Sequence, residues 1–177
     1  IHNNTGINPH YACINRVDNQ FLHLASMFSR TVVYFIRPLG VQSMAMSYVC
    51  PSVTIECGKP GHEYGVDHAR DYLEACLRLH ELPDHPVASH AVVLFLTVAI
   101  VKIRDDISFG FEDESVDLQL VGNVDHLNVR ELPAGTQLGW LKRPGLRVLD
   151  VCDDNGQEVF DHYFSIDDRA LVSTRTF

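Results

Sequence analysis

The sequence predicts an α/β sheet with crossover helices in the first half of the chain, followed by a small β-sandwich or partly closed barrel. Three observations carry that division. The first half reads strand end, helix, strand, strand, helix, which is the order of an α/β sheet. Beyond Pro86, short apolar runs follow one another with Gly, Pro and Asn-Gly turns between them, the pattern of an all-β unit. Charge is also uneven: residues 1–86 hold 6 basic and 8 acidic residues, net −2, whereas residues 87–177 hold 8 and 15, net −7. The stiff linker Leu82-Pro83-Asp84-His85-Pro86 marks the expected boundary, giving units 1–82 and 87–177.

The elements follow from local pattern. Ile1-His2 reads as the end of a strand, and Asn3 to Pro9 as an irregular loop. Asp18 is an N-cap for a helix over about 19–29, with Phe21, Leu22, Ala25 and Phe28 at helical spacing. Thr31 to Ile36 is a strand, stopped by Arg37-Pro38-Leu39-Gly40. A loosely patterned stretch leads to a buried strand at Val53–Ile55, bounded by Pro51 and Gly58. A helix is expected over about Val66 to His80, with Val66, Ala69, Leu73, Cys76, Leu77 and His80 as its apolar stripe. In the second half the strand candidates are Ala91–Arg104, Val116–Val121, Thr136–Leu141, Leu146–Val151 and Glu158–Phe160, and Asp154-Asn155-Gly156 is a hairpin signal.

Glu56 is the residue out of place. It ends an apolar strand, and a carboxylate is seldom buried without a partner because desolvating it costs several kcal/mol, so roughly. A carboxylate at the carboxyl end of a sheet strand lies where open α/β sheets put their ligands. The plainer alternative is a Glu salt-bridged at a strand end. His2, just past a strand, is either a loop polar group or a zinc ligand, and a carboxylate near such a metal can take a proton from its water.

Composition excludes other classes. A net charge of −9 gives no electrostatic footprint for nucleic acid. The longest apolar run, Ala91 to Val101, is too short to span a bilayer, so no membrane role is expected. The five cysteines (13, 50, 57, 76, 152) have no C-x-x-C spacing and read as reduced, mostly buried thiols of a cytoplasmic protein. Cys57 as a nucleophile is outweighed by its place in a strand. Asp105, Asp106, Glu112, Asp113 and Glu114 lack EF-hand spacing and read as a solvated loop, and His80, His85 and His90 as scattered polar positions rather than a second metal site.

Two segments resemble one family. Ile1-His2-Asn3-Asn4-Thr5-Gly6 resembles the D-[IL]-H-N-[TN]-[TS] segment of the succinylglutamate desuccinylase/aspartoacylase family, relatives of the zinc carboxypeptidases. Val53-Thr54-Ile55-Glu56-Cys57-Gly58 resembles that family's [IV]-[TG]-[IL]-E-x-G strand. The order matches, and the resemblance spans about residues 1–80. It implies a zinc-carboxypeptidase-like α/β sheet half, truncated upstream, with an appended C-terminal β domain. It further implies Zn2+ as cofactor, His2 as its third protein ligand, Glu56 as general base and acid, and Tyr163 as a substrate contact.

The chain also departs from the family pattern. The family's H-x-x-E zinc segment and the acidic residue before Ile-His have no counterpart in these 177 residues, and Met46 stands near the place of the family's substrate-gripping Arg. The expected function is zinc-dependent hydrolysis of an amide bond in a small N-acyl amino acid. The alternatives are a metallocarboxypeptidase acting on peptides or a non-catalytic binding module. The expected partners are that substrate, a missing upstream segment of the same protein without which the chain is inactive, and a second copy in a homo-oligomer.

Overall fold

The computed structural model describes residues 1–4, 6, 8–113 and 115–177; the expectations that touch Thr5 and Glu114 lie outside the described residues. The chain divides into two compact units, Ile1–Thr97 and Val98–Phe177.

In the first unit a four-stranded sheet runs in the order β3-β1-β2-β4: β1 is Tyr11–Ile14, β2 Thr31–Tyr34, β3 Thr54–Glu56 and β4 Val93–Leu96. β1, β2 and β4 are mutually parallel and β3 is antiparallel to β1. β1 leads to β2 through α1 (Asn19–Ser26), which opens as its sequence dictates: the Asp18 carboxylate accepts from Gln20 N at 3.0 Å and satisfies one of the helix's free amides. A one-turn helix α2 (Gln42–Met46) precedes β3, and α3 (Glu63–Leu77) follows it. Ala12, Ile14, Val32 and Ile55 from the sheet pack on Phe21, Ala25 and Phe28 of the α1 segment and on Ala69 and Tyr72 of α3, forming one core.

Three details differ from the sequence expectation. α3 turns Gly65, Ala69 and Tyr72 to the sheet, while Val66, Leu73 and Leu77 of the expected apolar stripe are exposed. The reason is a close approach. A Cβ at Gly65 would lie 2.2 Å from the Cys57 carbonyl oxygen, so only a bare backbone seats the helix there, and Tyr72 Oη then donates to Leu24 O at 3.3 Å. The expected long strand 91–104 is two strands in different sheets, β4 on β2 and β5 (Ile100–Ile103) in the second unit. The compact units divide after Thr97, beyond the expected 82–86 linker, which is tied to α1: Asn19 Nδ2 donates to Asp84 O at 3.0 Å, and His23 Nε2 lies 2.9 Å from His85 O.

The second unit has a five-stranded sheet, β10-β11-β8-β7-β6, and a two-stranded one, β5-β9. These are β6 (Phe109–Gly110), β7 (Leu118–Leu120), β8 (Gln137–Leu141), β9 (Leu149–Cys152), β10 (Phe164–Asp167) and β11 (Ala170–Ser173). Leu118, Leu141 and Leu171 of the larger sheet share one core with Leu149 and Val151 of the smaller and with Phe160 of the short helix α4 (Phe160–Tyr163). The mixed α/β class therefore holds. Residues 158–160 form a single bridge and the start of α4 instead of a strand, and the β10–β11 hairpin was not foreseen. No helix among the described residues is long and apolar enough to cross a membrane.

Gly65→Ala is expected to destabilise the protein. Alanine's helix propensity favours the change by about 1 kcal/mol, but overpacking against a backbone carbonyl costs about 1–3 kcal/mol. A lower denaturation midpoint at unchanged m-value is the expected result; a rise would show that α3 can lift off Cys57 without cost.

Candidate functional site

β3 positions the site. Residues alternate along it, so Ile55 and Cys57 enter the core and Glu56 points to the opposite face. Residues 1–4 lie along β3's other edge: His2 N donates to Ile55 O at 2.9 Å, Cys57 N donates to His2 O at 2.9 Å, and Asn4 N donates to Gly58 O at 3.1 Å. His2 thus pairs with Glu56 in a parallel bridge. Gly58 has φ of 77°, a left-handed conformation that a side chain would strain, and that turn delivers its carbonyl to Asn4.

This pairing brings His2 Nδ1 to 3.3 Å from Glu56 Oε2, and Asn4 Nδ2 donates to the same oxygen at 3.5 Å. The Glu56 side chain is 12% exposed and that of His2 70%, so the carboxylate is sheltered and the imidazole open. The pair borders a cavity of about 390 Å³. Cys13, Phe35 and Thr54 line it from the sheet side, and Val41, Gln42 and Ser43 from the α2 segment.

Neighbouring groups register Glu56's charge. Burial pushes the Cys13 thiol up to about 12, with Glu56 adding to the effect. Burial likewise pushes the Tyr11 phenol up to about 12, with Glu56 next in size. Burial also raises the Cys57 thiol; its Sγ lies 3.9 Å from Ile55 O inside the core, so Cys57 is not an activated nucleophile. All five cysteines are free, but only Cys13 and Cys57 are buried, fewer than expected.

On the far side of Gly58, His10, His68, Phe28 and Tyr64 form an aromatic cluster. His68 Nε2 donates to Phe28 O at 2.7 Å, and burial, reinforced by His68, lowers the basicity of His10. Both rings behave as packing groups.

The structure therefore brings His2 and Glu56 together. Tyr163 belongs to the second unit, where its ring packs edge-on against Phe177, centroids 5.9 Å apart, with the Arg175 guanidinium 5.3 Å above it. Asp106 pairs with Arg104, and Asp113 accepts from Ser115 N, as expected of a solvated loop. Among the described residues, no three His, Cys, Asp or Glu side chains group as metal ligands. Sequence reading missed Tyr11, whose strand is only four residues long, and Ser43, whose helix is five residues without a side-chain cap.

Among solved structures, the chain is similar to a succinylglutamate desuccinylase/aspartoacylase from Rhodobacter sphaeroides, at 12% identity and a TM-score of 0.44 over 94% of this chain and 46% of that one. It is also similar to the apo ectoine utilization protein EutE (DoeB) from Ruegeria pomeroyi, at 11% identity and a TM-score of 0.40 over 94% of this chain and 47% of that one. The chain spans about half the length of each. No family model matches it, and no curated protein matches it in sequence.

The pH dependence of stability follows from Cys13 and Tyr11. Both ionise in the unfolded chain at their ordinary values, 9.0 and 10.0, but stay neutral to about 12 when folded. Above pH 9 the unfolded state sheds protons that the native state keeps, so stability falls as pH rises from 9 to 12 and is unaffected by these groups below 9. Denaturation midpoints measured across pH 8–11 should show the decline, and Cys13→Ala should flatten its first part.

Proposed function

We propose that this chain carries the acid–base machinery of an amide hydrolase, with Glu56 as the general base and acid. The observation that supports it most is the 3.3 Å contact between His2 Nδ1 and Glu56 Oε2 at the wall of a substrate-sized cavity. A sheltered carboxylate held beside an open imidazole can accept a proton from a water in the adjoining cavity. As the water oxygen bonds to the amide carbon, Glu56 takes the proton, then delivers it to the nitrogen as the C–N bond breaks. The products are a carboxylic acid and a free amine. Asn4 and His2 orient the carboxylate through this cycle.

Zinc belongs to the proposal through His2. A catalytic zinc takes three protein ligands, and the described residues offer one imidazole beside one carboxylate, so of such a ligand set they supply His2 alone. When bound, zinc supplies Lewis-acid polarisation and an acidified water. His2 would bind it through a ring nitrogen, and binding through Nδ1 requires the contact with Glu56 to open. N-acyl amino acids are the proposed substrate class, on the strength of the two motifs that His2 and Glu56 carry.

The test uses the full-length protein as its gene encodes it, assayed with zinc against a panel of N-acyl amino acids and short peptides. Glu56→Gln preserves shape but cannot accept the proton, so hydrolysis should fall by about 10²–10⁴-fold with fold and metal content unchanged. A rate within threefold of wild type would remove Glu56 from this role. His2→Ala should lower zinc content by elemental analysis, since loss of one ligand weakens such a site. One full equivalent of zinc on the variant would show that His2 is not a ligand.

A further inference from the structure

The outward face of the five-stranded sheet carries a cavity that the reaction above does not use. Leu118, Leu141 and Leu171 turn inward to the core, so their neighbours Gln119, Trp140 and Ala170 face the other way. Register lines these up in one row across the strands: Asp167 pairs with Ala170, Ala170 with Trp140, Trp140 with Gln119, and Gln119 with Gly110. Trp140, the one tryptophan of these 177 residues, is 42% exposed in the middle of that row. Its flanks are low, with Ala170 on one side and Gly110 beyond Gln119 on the other. The adjoining cavity of about 410 Å³ falls in the range of small-molecule sites, and Val116, Gln119, Trp140, Leu141, Lys142 and Arg169 line it.

Two cations border the indole. Arg169 lies in the turn between β10 and β11, and Leu141 N donates to Arg169 O at 2.7 Å, which ties that turn to the end of β8. Its guanidinium has no hydrogen-bond or ion-pair partner among the described residues. Lys142 Nζ donates to Ser115 O at 2.8 Å and keeps two further N–H groups. The surroundings are acidic, net −7 over residues 87–177. Asp117 lies near Lys142, but its Oδ2 already accepts from Ser108 N at 3.1 Å and Ser108 Oγ at 2.7 Å. Asp167 stands at the far end of the row.

Each of these groups selects a part of a ligand. An indole face is negative and attracts the weakly positive C–H groups of a saturated ring. Gln119 offers a donor and an acceptor, which suits hydroxyls. A guanidinium matches a planar carboxylate through two parallel hydrogen bonds. The neighbouring acids disfavour a ligand with two negative charges, and the mostly polar lining disfavours a wholly apolar one. We propose that this cavity binds a sugar carrying a single carboxylate, with its ring on Trp140, its hydroxyls on Gln119 and its carboxylate on Arg169 and Lys142. The chemistry assigned to Glu56 plays no part in it.

Methyl β-glucuronide, methyl β-glucoside and acetate separate these contributions. Titrated into the 15N-labelled full-length protein, the glucuronide should shift the Trp140 indole N–H, assigned with Trp140→Phe, and the backbone amides of residues 119, 140–142 and 169–170. Its affinity should exceed those of the glucoside and of acetate by ~3–10-fold, the effect of charge-assisted contacts at an exposed site, and should fall as salt rises. Arg169→Gln should melt as wild type does and lose most of the preference for glucuronide over glucoside. Trp140→Ala should weaken both sugars while leaving acetate unchanged.

The proposal is overturned if the glucoside binds as tightly as the glucuronide, if Arg169→Gln retains the full preference, or if no sugar shifts these resonances. Tighter binding of benzoate or of glucose 6-phosphate than of the glucuronide would also overturn it, because the ring or the charge would then be of the wrong kind.

Discussion

The site depends on two backbone hydrogen bonds. His2 N to Ile55 O and Cys57 N to His2 O, each 2.9 Å, lay residues 1–4 along the free edge of β3 and fix their register. Register decides everything here, because side chains alternate along a strand. A slip of one residue would move His2 away from Glu56 and leave Ile1 or Asn3 in its place. Two amide–carbonyl bonds contribute modestly, about 1 kcal/mol each net, so the pairing needs help from its surroundings. It has that help in the Gly58 carbonyl, which accepts from both Asn4 N and Asn3 Nδ2.

The same alternation joins core and cavity. Ile55 and Cys57 are buried against α1 and α3, so Glu56, between them, is carried to the other face without a separate support. The close seat of Gly65 on the Cys57 carbonyl makes α3 part of the arrangement: the helix holds the residue next to Glu56 through backbone, not side chain. Burial of Cys57 thereby accompanies the exposure of Glu56 to the cavity, and that burial raises the thiol above its ordinary range.

Much of this is legible in the sequence, and the rest is not for physical reasons. Asp18 signals α1 because an N-cap is a local interaction, settled by residues two apart. Glu56 stands out because a charge in a β-branched run conflicts with burial. β1 escapes notice since Tyr11–Ile14 is short and its last three residues are buried on both faces, leaving no alternation to read. The face of α3 is misjudged because hydrophobicity counts Val66 and Leu73 above Gly65, whereas the packing surface selects the smallest residue for contact with a carbonyl. The break of 91–104 between two units is likewise invisible, since β4 and β5 are equally apolar and only their partners differ.

Electrostatics then decides what kind of site this is. Cys13 and Tyr11 flank Glu56 on the sheet and remain neutral far above their usual range, chiefly through burial and then through the carboxylate's field. A wall of neutral, poorly hydrated groups around one negative charge strengthens every interaction with that charge, because the surroundings screen it weakly. Glu56 is the one carboxylate among the described residues that border this cavity, so the surroundings of that single side chain set the electrostatic character of the cavity.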